Sequence, residues 1–358
     1  MPECTGKSVA TLRNRFLDGR GGMRERSRAI TIADVAARAG VSQASVSRVL
    51  NGNASVDPVI ARSVRTAIAA LGYTPSVAAR SLVHGRNHTI AMVVPDLENS
   101  LFQGILKGLS LAAAADGYRV LVADTAERVD DEESIAMEAR QRCDALVLVA
   151  PRMPEERLRR LVERVEPVVV VNRQLPGAAV PIIGVDYVRG IRDLVDHLVA
   201  LGHRRLAYVS GPASSASNAE RLRGVDEAIA ADPGITIDVI PAGSRLDDGY
   251  EVAAAVDEAR RGGVTAVIAF NDLVAFGLMT HLRELGVDVP GDLSVAGFDD
   301  MPMSRFAVPR LTSMSVPRGE IGAQAWARLR TLIGGGPIEH SVLYRPRLEA
   351  RESTGKQR

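Results

Sequence analysis

The sequence of 358 residues predicts an α/β protein: a small helical head, then a two-lobed core of parallel sheets. Three observations lead there. Residues 30–73 carry a helical apolar pattern throughout. From residue 88 onward, apolar strand-like runs alternate with helical stretches, as in sheets covered by helices. Those runs number nine, more than one mononucleotide-sized sheet needs, so two similar lobes with a cleft between them are expected.

Composition narrows the class. At 46% hydrophobic and 24% charged residues, the chain suits a soluble globular protein with a sizeable core. No apolar run is long enough to span a membrane, and the first residues hold no apolar signal core. Cys4 and Cys143 have no metal-type spacing and suggest free thiols in a reducing cytoplasm. Charge is unevenly placed. Residues 1–87 hold 13 Lys/Arg against 5 Asp/Glu, whereas the rest hold 31 against 38. A basic head on an acidic body points to a head that meets a polyanion.

The segments follow in order. Residues 1–29, rich in Arg and Gly, read as a disordered basic tail. In "TIADVAARAG", Thr31 is placed as N-cap with Asp34 three residues on, a capping-box arrangement. Ile32, Val35, Ala36 and Ala39 share one face, and Gly40 supplies the left-handed turn that ends the helix. Ser42 caps the next helix, in which Val46, Val49 and Leu50 face inward. A third helix over 58–71 starts with Asp57 as cap and Pro58 at its first position. Two short helices joined by a tight Gly-containing turn make a helix-turn-helix. The outer face of its second helix is small, polar and cationic, which suits close approach to a DNA groove. Gln43 and Ala44 would face base edges, Ser47 and Asn51 can hydrogen-bond phosphates or bases, and Arg48 can pair with guanine.

Residues 74–87 form a link bracketed by Pro75 and Gly85. Its "PSVAARSL" is too short to hold as a helix alone in water. The nine runs of the body are "TIAMVVP", "RVLVAD", "ALVLVA", "PVVVVN", "PIIGV", "RLAYVSG", "TIDVIP", "AVIAF" and "LSVAGF". Strands apolar throughout are expected to be buried on both faces. Helices are expected around 103–116, 132–142, 155–164, 189–201, 219–231, 248–261 and 272–285. Trp326 falls on a further C-terminal helix, in a packing role.

The segment "TIADVAARAGVSQASVSRVLNG" resembles the N-terminal signature of the lactose-repressor (LacI/GalR) family of bacterial transcription regulators. The likeness continues through "GYTPSVAARSL", "LVALGHRRLAYVSGP", "ERLRG", "FNDLVAFGLMTHLRELGVDVPGDLSVAGFDD" and "PRLTSMSVPRGEIG", spanning about residues 30–353. It implies a helix-turn-helix DNA-binding head over 30–73, a hinge helix and linker over 74–87, and a periplasmic-binding-protein-like core over 88–353. The chain would cross between lobes three times. The N-lobe would take about 88–186 and 316–345, the C-lobe about 187–315 and 346–353, with 354–358 a tail. A homodimer on a palindromic operator follows, with a small-molecule effector, most simply a carbohydrate, and no cofactor.

The implied DNA-contacting residues are Thr31, Ser42, Gln43, Ala44, Ser45, Ser47, Arg48 and Asn51 in the head. In the hinge they are Ala78, Ala79 and Leu82, the leucine matching one that relatives push into the minor groove. The implied effector residues are Leu101, Phe102, Asn172, Arg173, Arg221, Asn271 and Asp299. Arg forks, an amide and a carboxylate together suit vicinal hydroxyls. Two departures stand out: "NSLF" replaces the family's Asn-Pro-Phe-Phe, and Ser244 and Arg245 stand where relatives often carry an aromatic ring. The second opens the way to a charged ligand.

Three other classes compete. A nucleobase or phosphorylated metabolite could replace the sugar in the same fold. A sugar-binding transport protein would share the body but needs a signal peptide and no helix-turn-helix. An enzyme is disfavoured because the sequence holds no Gly-Lys-Ser/Thr phosphate loop, no His-Glu-x-x-His and no Gly-x-Ser-x-Gly.

Overall fold

The structure, a computed structural model, describes residues 30–50, 56–73, 86–338 and 341–357. They fall into two compact units, the head and the body.

In the head, α1 (Ile32–Ala39) is closed at its start by a reciprocal cap. The Thr31 hydroxyl accepts from the Asp34 amide, and the Asp34 carboxylate accepts from the Thr31 amide at 2.8 Å. Gly40 ends α1 at φ 67°, a left-handed geometry that a side chain would strain. The Ser42 hydroxyl accepts from the Ser45 amide and opens α2 (Gln43–Leu50). Asp57 caps α3 (Pro58–Leu71) through the Val59 amide. The three helices bury Val35, Ala36, Val46, Val64 and Ala67 between them. So small a core holds because caps satisfy the helix ends locally.

The body holds two six-stranded sheets. The first has the order β11-β5-β4-β3-β1-β2, parallel throughout. Its strands are β1 (Thr89–Val94), β2 (Arg119–Asp124), β3 (Ala145–Val149), β4 (Val168–Val171), β5 (Ile182–Val185) and β11 (Val342–Tyr344). The second has the order β12-β10-β9-β8-β6-β7, with only β12 antiparallel. Its strands are β6 (Arg205–Ser210), β7 (Thr236–Pro241), β8 (Ala266–Ala269), β9 (Ser294–Asp299), β10 (Thr312–Ser315) and β12 (Arg347–Glu349). All nine expected runs form strands, and three short ones are added.

The first lobe carries α4 (Ser100–Ala115), α5 (Glu132–Arg142), α6 (Glu155–Arg164) and the returning α12 (Arg318–Ile333). The second carries α7 (Tyr187–Ala200), α8 (Ala216–Ala231), α9 (Leu246–Glu251), α10 (Ala253–Arg261) and α11 (Asp272–Glu284). The single helix expected over 248–261 is interrupted at Val252, which ends α9 and precedes α10. The chain passes between lobes after β5, after β10 and after β11.

Central strands β3, β4 and β8 are buried at every position. β2 and β7 depart from the expected burial on both faces. They lie at sheet edges, where Leu121, Val122 and Val239 are exposed. An apolar run does not reveal sheet order, and only order decides which strand is an edge. α4 and α12 cross with backbones nearly touching: a Cβ on Gly322 would stand 2.1 Å from the Ile105 carbonyl oxygen. That crossing sets Arg318 over Gly104, at the edge of the cleft. Trp326 packs on Tyr118, its indole N–H donating to Asp116 at 2.6 Å.

Candidate functional site

Strand ends supply the cleft. Ala150 after β3, Asn172 after β4 and Asp299 at the end of β9 all have positive φ, at 46°, 55° and 100°. Non-glycine residues take that conformation seldom, and such strain gathers where a side chain must be aimed. The N-terminus of α4 adds Leu101 and Phe102, held by Asn99, whose side chain accepts from the Leu101 amide.

At the centre stands Arg221 on α8, 1% exposed. Its guanidinium lies 4.1 Å from the Tyr187 ring centre, 4.3 Å from Phe298 and 4.5 Å from Phe270. Aromatic faces stabilise a desolvated cation without neutralising it. Nη1 donates to the Ser217 carbonyl at 3.1 Å, and Nη2 stands 3.8 Å from Asp299 Oδ1. Burial pushes the Asp299 carboxyl up to about 6, against the pull of Arg221 and Arg318.

Several buried polar atoms here lack a hydrogen-bond partner among the described residues: both amide atoms of Asn172, Arg221 Nε and Asp299 Oδ1. Leaving such groups unpaired costs about 1–3 kcal/mol each. All three residues line one enclosed chamber of about 10 Å³, together with Leu101 and Phe102. It adjoins a wider cleft of about 630 Å³, with Asn172, Tyr187 and Ser217 lining both. Arg173 lies in that wider part.

Asn271 is not brought into the chamber. Its side-chain oxygen caps α11 through the Val274 amide, and its Nδ2 donates to the Ser244 carbonyl at 2.8 Å. Its neighbour Asp272 is fully buried and holds the loop beyond β9. It accepts from the Ser304 and Ser313 hydroxyls at 2.6 Å and from the Met301 amide at 2.7 Å. Burial pushes this carboxyl up to about 7. At the rim, Arg245 and Glu98 form an exposed ion pair of 2.8 Å between the lobes.

Sequence reasoning missed Arg152, Tyr187, Ser217 and Phe270, all of which line the chamber. Two signals existed: Arg152 follows the end of β3, and Phe270 directly follows β8. Tyr187 opens α7 just after β5 and Ser217 stands in the first turn of α8, so both carried the same positional signal, but nothing local tells which helix starts face the chamber.

On the head, Gln43, Ala44 and Arg48 of α2 are exposed, as is Ser42, while Ser45 and Ser47 are half-buried. Thr31 is half-buried and engaged in its cap. Asn51, Ala78, Ala79 and Leu82, with the tail 1–29 and most of the hinge, lie outside the described residues. Among the described residues, no three His, Cys, Asp or Glu are placed to hold a metal ion, and no helix is long and apolar enough to cross a membrane.

Comparison with known proteins agrees with this geometry. Residues 31–76 match the model for bacterial regulatory proteins of the lacI family, and residues 195–354 match a periplasmic binding protein-like domain. The HTH-type transcriptional regulator GalR of Escherichia coli (strain K12) is 33% identical over 327 residues, covering 90% of this chain and 95% of GalR. The crystal structure of the lac repressor dimer bound to operator and the anti-inducer ONPF has a TM-score of 0.81 at 26% identity, covering 92% of this chain and all of that one. The transcriptional regulator CelR–cellobiose complex has a TM-score of 0.67 at 29% identity, covering 90% and 99%. The fold defines a chain with a helix-turn-helix head and a two-lobed, periplasmic binding protein-like core. The chain belongs to the lacI family and is a DNA-binding transcriptional regulator.

Proposed function

We propose that this regulator is a cytoplasmic repressor without catalytic activity, binding a palindromic operator as a homodimer under control of a small carbohydrate. The carrying observation is the convergence of orphaned polar atoms from Asn172, Arg221 and Asp299 in one enclosed chamber. They offer donors and acceptors side by side, the need of a polyol whose hydroxyls both give and accept. A nucleobase fits less well, because the Tyr187, Phe270 and Phe298 rings already hold the guanidinium. GalR, CelR with cellobiose and the lac repressor on operator support the same reading by likeness.

In this reading residues 30–73 are the DNA-binding domain, 74–87 the hinge and 88–353 the effector and dimerisation domain. Gln43, Ala44 and Arg48 reach base edges, and Ser42, Ser45, Ser47 and Thr31 meet the backbone. Ligand between the lobes favours their closed arrangement, which alters the spacing of the paired hinges. Such coupling is typically about 1–3 kcal/mol.

A thermal-shift screen of the full chain against sugars, sugar phosphates, nucleosides and nucleobases tests this. A sugar or sugar derivative should raise the melting temperature, because a ligand of the native state alone stabilises by mass action. The same compound should change affinity for an operator fragment selected from random DNA. A response confined to nucleosides or nucleobases would contradict the reading.

A further inference from the structure

Arg173 stands apart from every other charged group around the cleft. It follows Asn172 beyond β4, is half-buried, and takes part in no hydrogen bond or ion pair among the described residues. The carboxylates that line the same wide chamber are already committed. Glu155 holds Arg159 at 2.7 Å, Glu220 holds Arg223 at 3.1 Å, and Asp186 caps α7 through the Arg189 amide at 3.0 Å. The neighbouring cation Arg152 is neutralised by Glu127 through two hydrogen bonds of 2.9 Å. Burial draws the Arg173 guanidinium below its ordinary value, and Arg152 adds to the effect, whereas Glu155 and Glu132 oppose it.

In the inner chamber the charges are already matched. Asp299 is the one carboxylate lining it, and it faces Arg221 from 3.8 Å. Arg318, which also acts on Asp299, donates to the carbonyl oxygen of Asp300. Of the charged side chains lining the two chambers, Arg173 alone has no hydrogen bond or ion pair among the described residues. A guanidinium fork without a partner, partly withdrawn from water, is well matched to a carboxylate or phosphate.

We infer that the effector is a polyol bearing an anionic group, with Arg173 receiving the anion in the wide chamber while Asn172, Arg221 and Asp299 receive a single hydroxyl in the inner one, which has room for one water-sized group. This rests on the reading of the cleft as a polyol site. Asn172, Tyr187 and Ser217 line both chambers, so a molecule in the wide one lies against the walls of the inner one.

The test is calorimetric titration of the full chain with matched sets: glucose, gluconate and glucose 6-phosphate; galactose, galactonate and galactose 6-phosphate; and adenosine and hypoxanthine. Wild type, Arg173→Gln and Arg173→Lys are compared by the ratio of anionic to neutral affinity within each protein, so that a general loss of binding does not imitate the effect. In wild type one anionic compound should bind about tenfold or more tightly than its neutral parent. The ratio should collapse in Arg173→Gln and survive in part in Arg173→Lys. The carboxylate and phosphate members tell the two anions apart. A neutral parent that binds as well as its acid, or a preference unchanged in Arg173→Gln, overturns the anion and leaves the polyol site standing. Binding by adenosine or hypoxanthine alone, or by no member of the panel, overturns both.

Discussion

Arg221 and Asp299 face each other across the chamber with 3.8 Å between Nη2 and Oδ1, too far for a hydrogen bond. Both are buried, so neither charge is screened by water. Three rings fix the guanidinium, and the loop anchored by Asp272 fixes the carboxylate. The gap between them is set by the fold, and a hydroxyl can bond to both sides of it.

Asp299→Asn should therefore weaken the effector by about tenfold or more, because hydrogen bonds to charged groups are worth about 1.5–3 kcal/mol. Calorimetric titration with the ligand retained by wild type measures this. An unchanged dissociation constant would take Asp299 out of the site.

Asp272 gives a pH prediction. Its folded-state value, about 7, lies above the ordinary carboxylate range. A raised value means that its contribution to stability is full at low pH and is lost as pH rises through about 7. The stability of wild type relative to Asp272→Asn should therefore fall between about pH 4 and pH 7. Melting temperatures of both proteins across that interval give the difference, and a constant difference would contradict the assignment.

The ion pair of Glu98 and Arg245 spans the cleft rim in the open, at 72% and 55% side-chain exposure. Exposed pairs contribute little and are screened by salt. Glu98→Gln should change effector affinity by less than about fivefold in dilute buffer. In molar salt the difference should vanish, and one that persisted there would assign Glu98 a direct ligand contact.

Arg48 projects from the exposed face of α2, its Nε only 3.4 Å from the Ala44 carbonyl. Arg48→Ala should lower operator affinity by about 1–3 kcal/mol if it reads a base, with specificity relaxed at one position. If it meets phosphate, the loss should be uniform across sequences and the salt slope should fall by about one. Binding curves on operator and scrambled DNA at several salt concentrations separate these, and no loss on either would contradict the orientation of α2.

Legibility in the sequence followed the range of the forces involved. Caps are local, so Thr31 with Asp34, Gly40, Ser42 and Asp57 could be placed from spacing, and the structure has each where spacing put it. Strand existence was equally plain from apolar runs. The edge positions of β2 and β7 depend on pairing between distant segments, which periodicity does not carry. At the site, residues directly after strands or at helix starts were visible, as with Phe102, Asn172 and Asp299. Tyr187 and Ser217 also stand at helix starts, but many helix starts look alike in sequence and only the fold shows that these two line the chamber. Asn271 was visible as a strand-end amide, but spacing could not reveal that its amide is engaged by Val274 and Ser244.

The central claim is that a ligand held by Arg221 and Asp299 alters the grip of the head on DNA. The direct measurement is fluorescence anisotropy of a selected operator fragment bound by the full chain, titrated with the ligand that calorimetry retains. Wild type should show a ligand-dependent shift in DNA affinity. Arg221→Met and Asp299→Asn should bind the operator without ligand yet need at least about tenfold more ligand for the same shift. Identical titration curves for wild type and both variants would contradict the account.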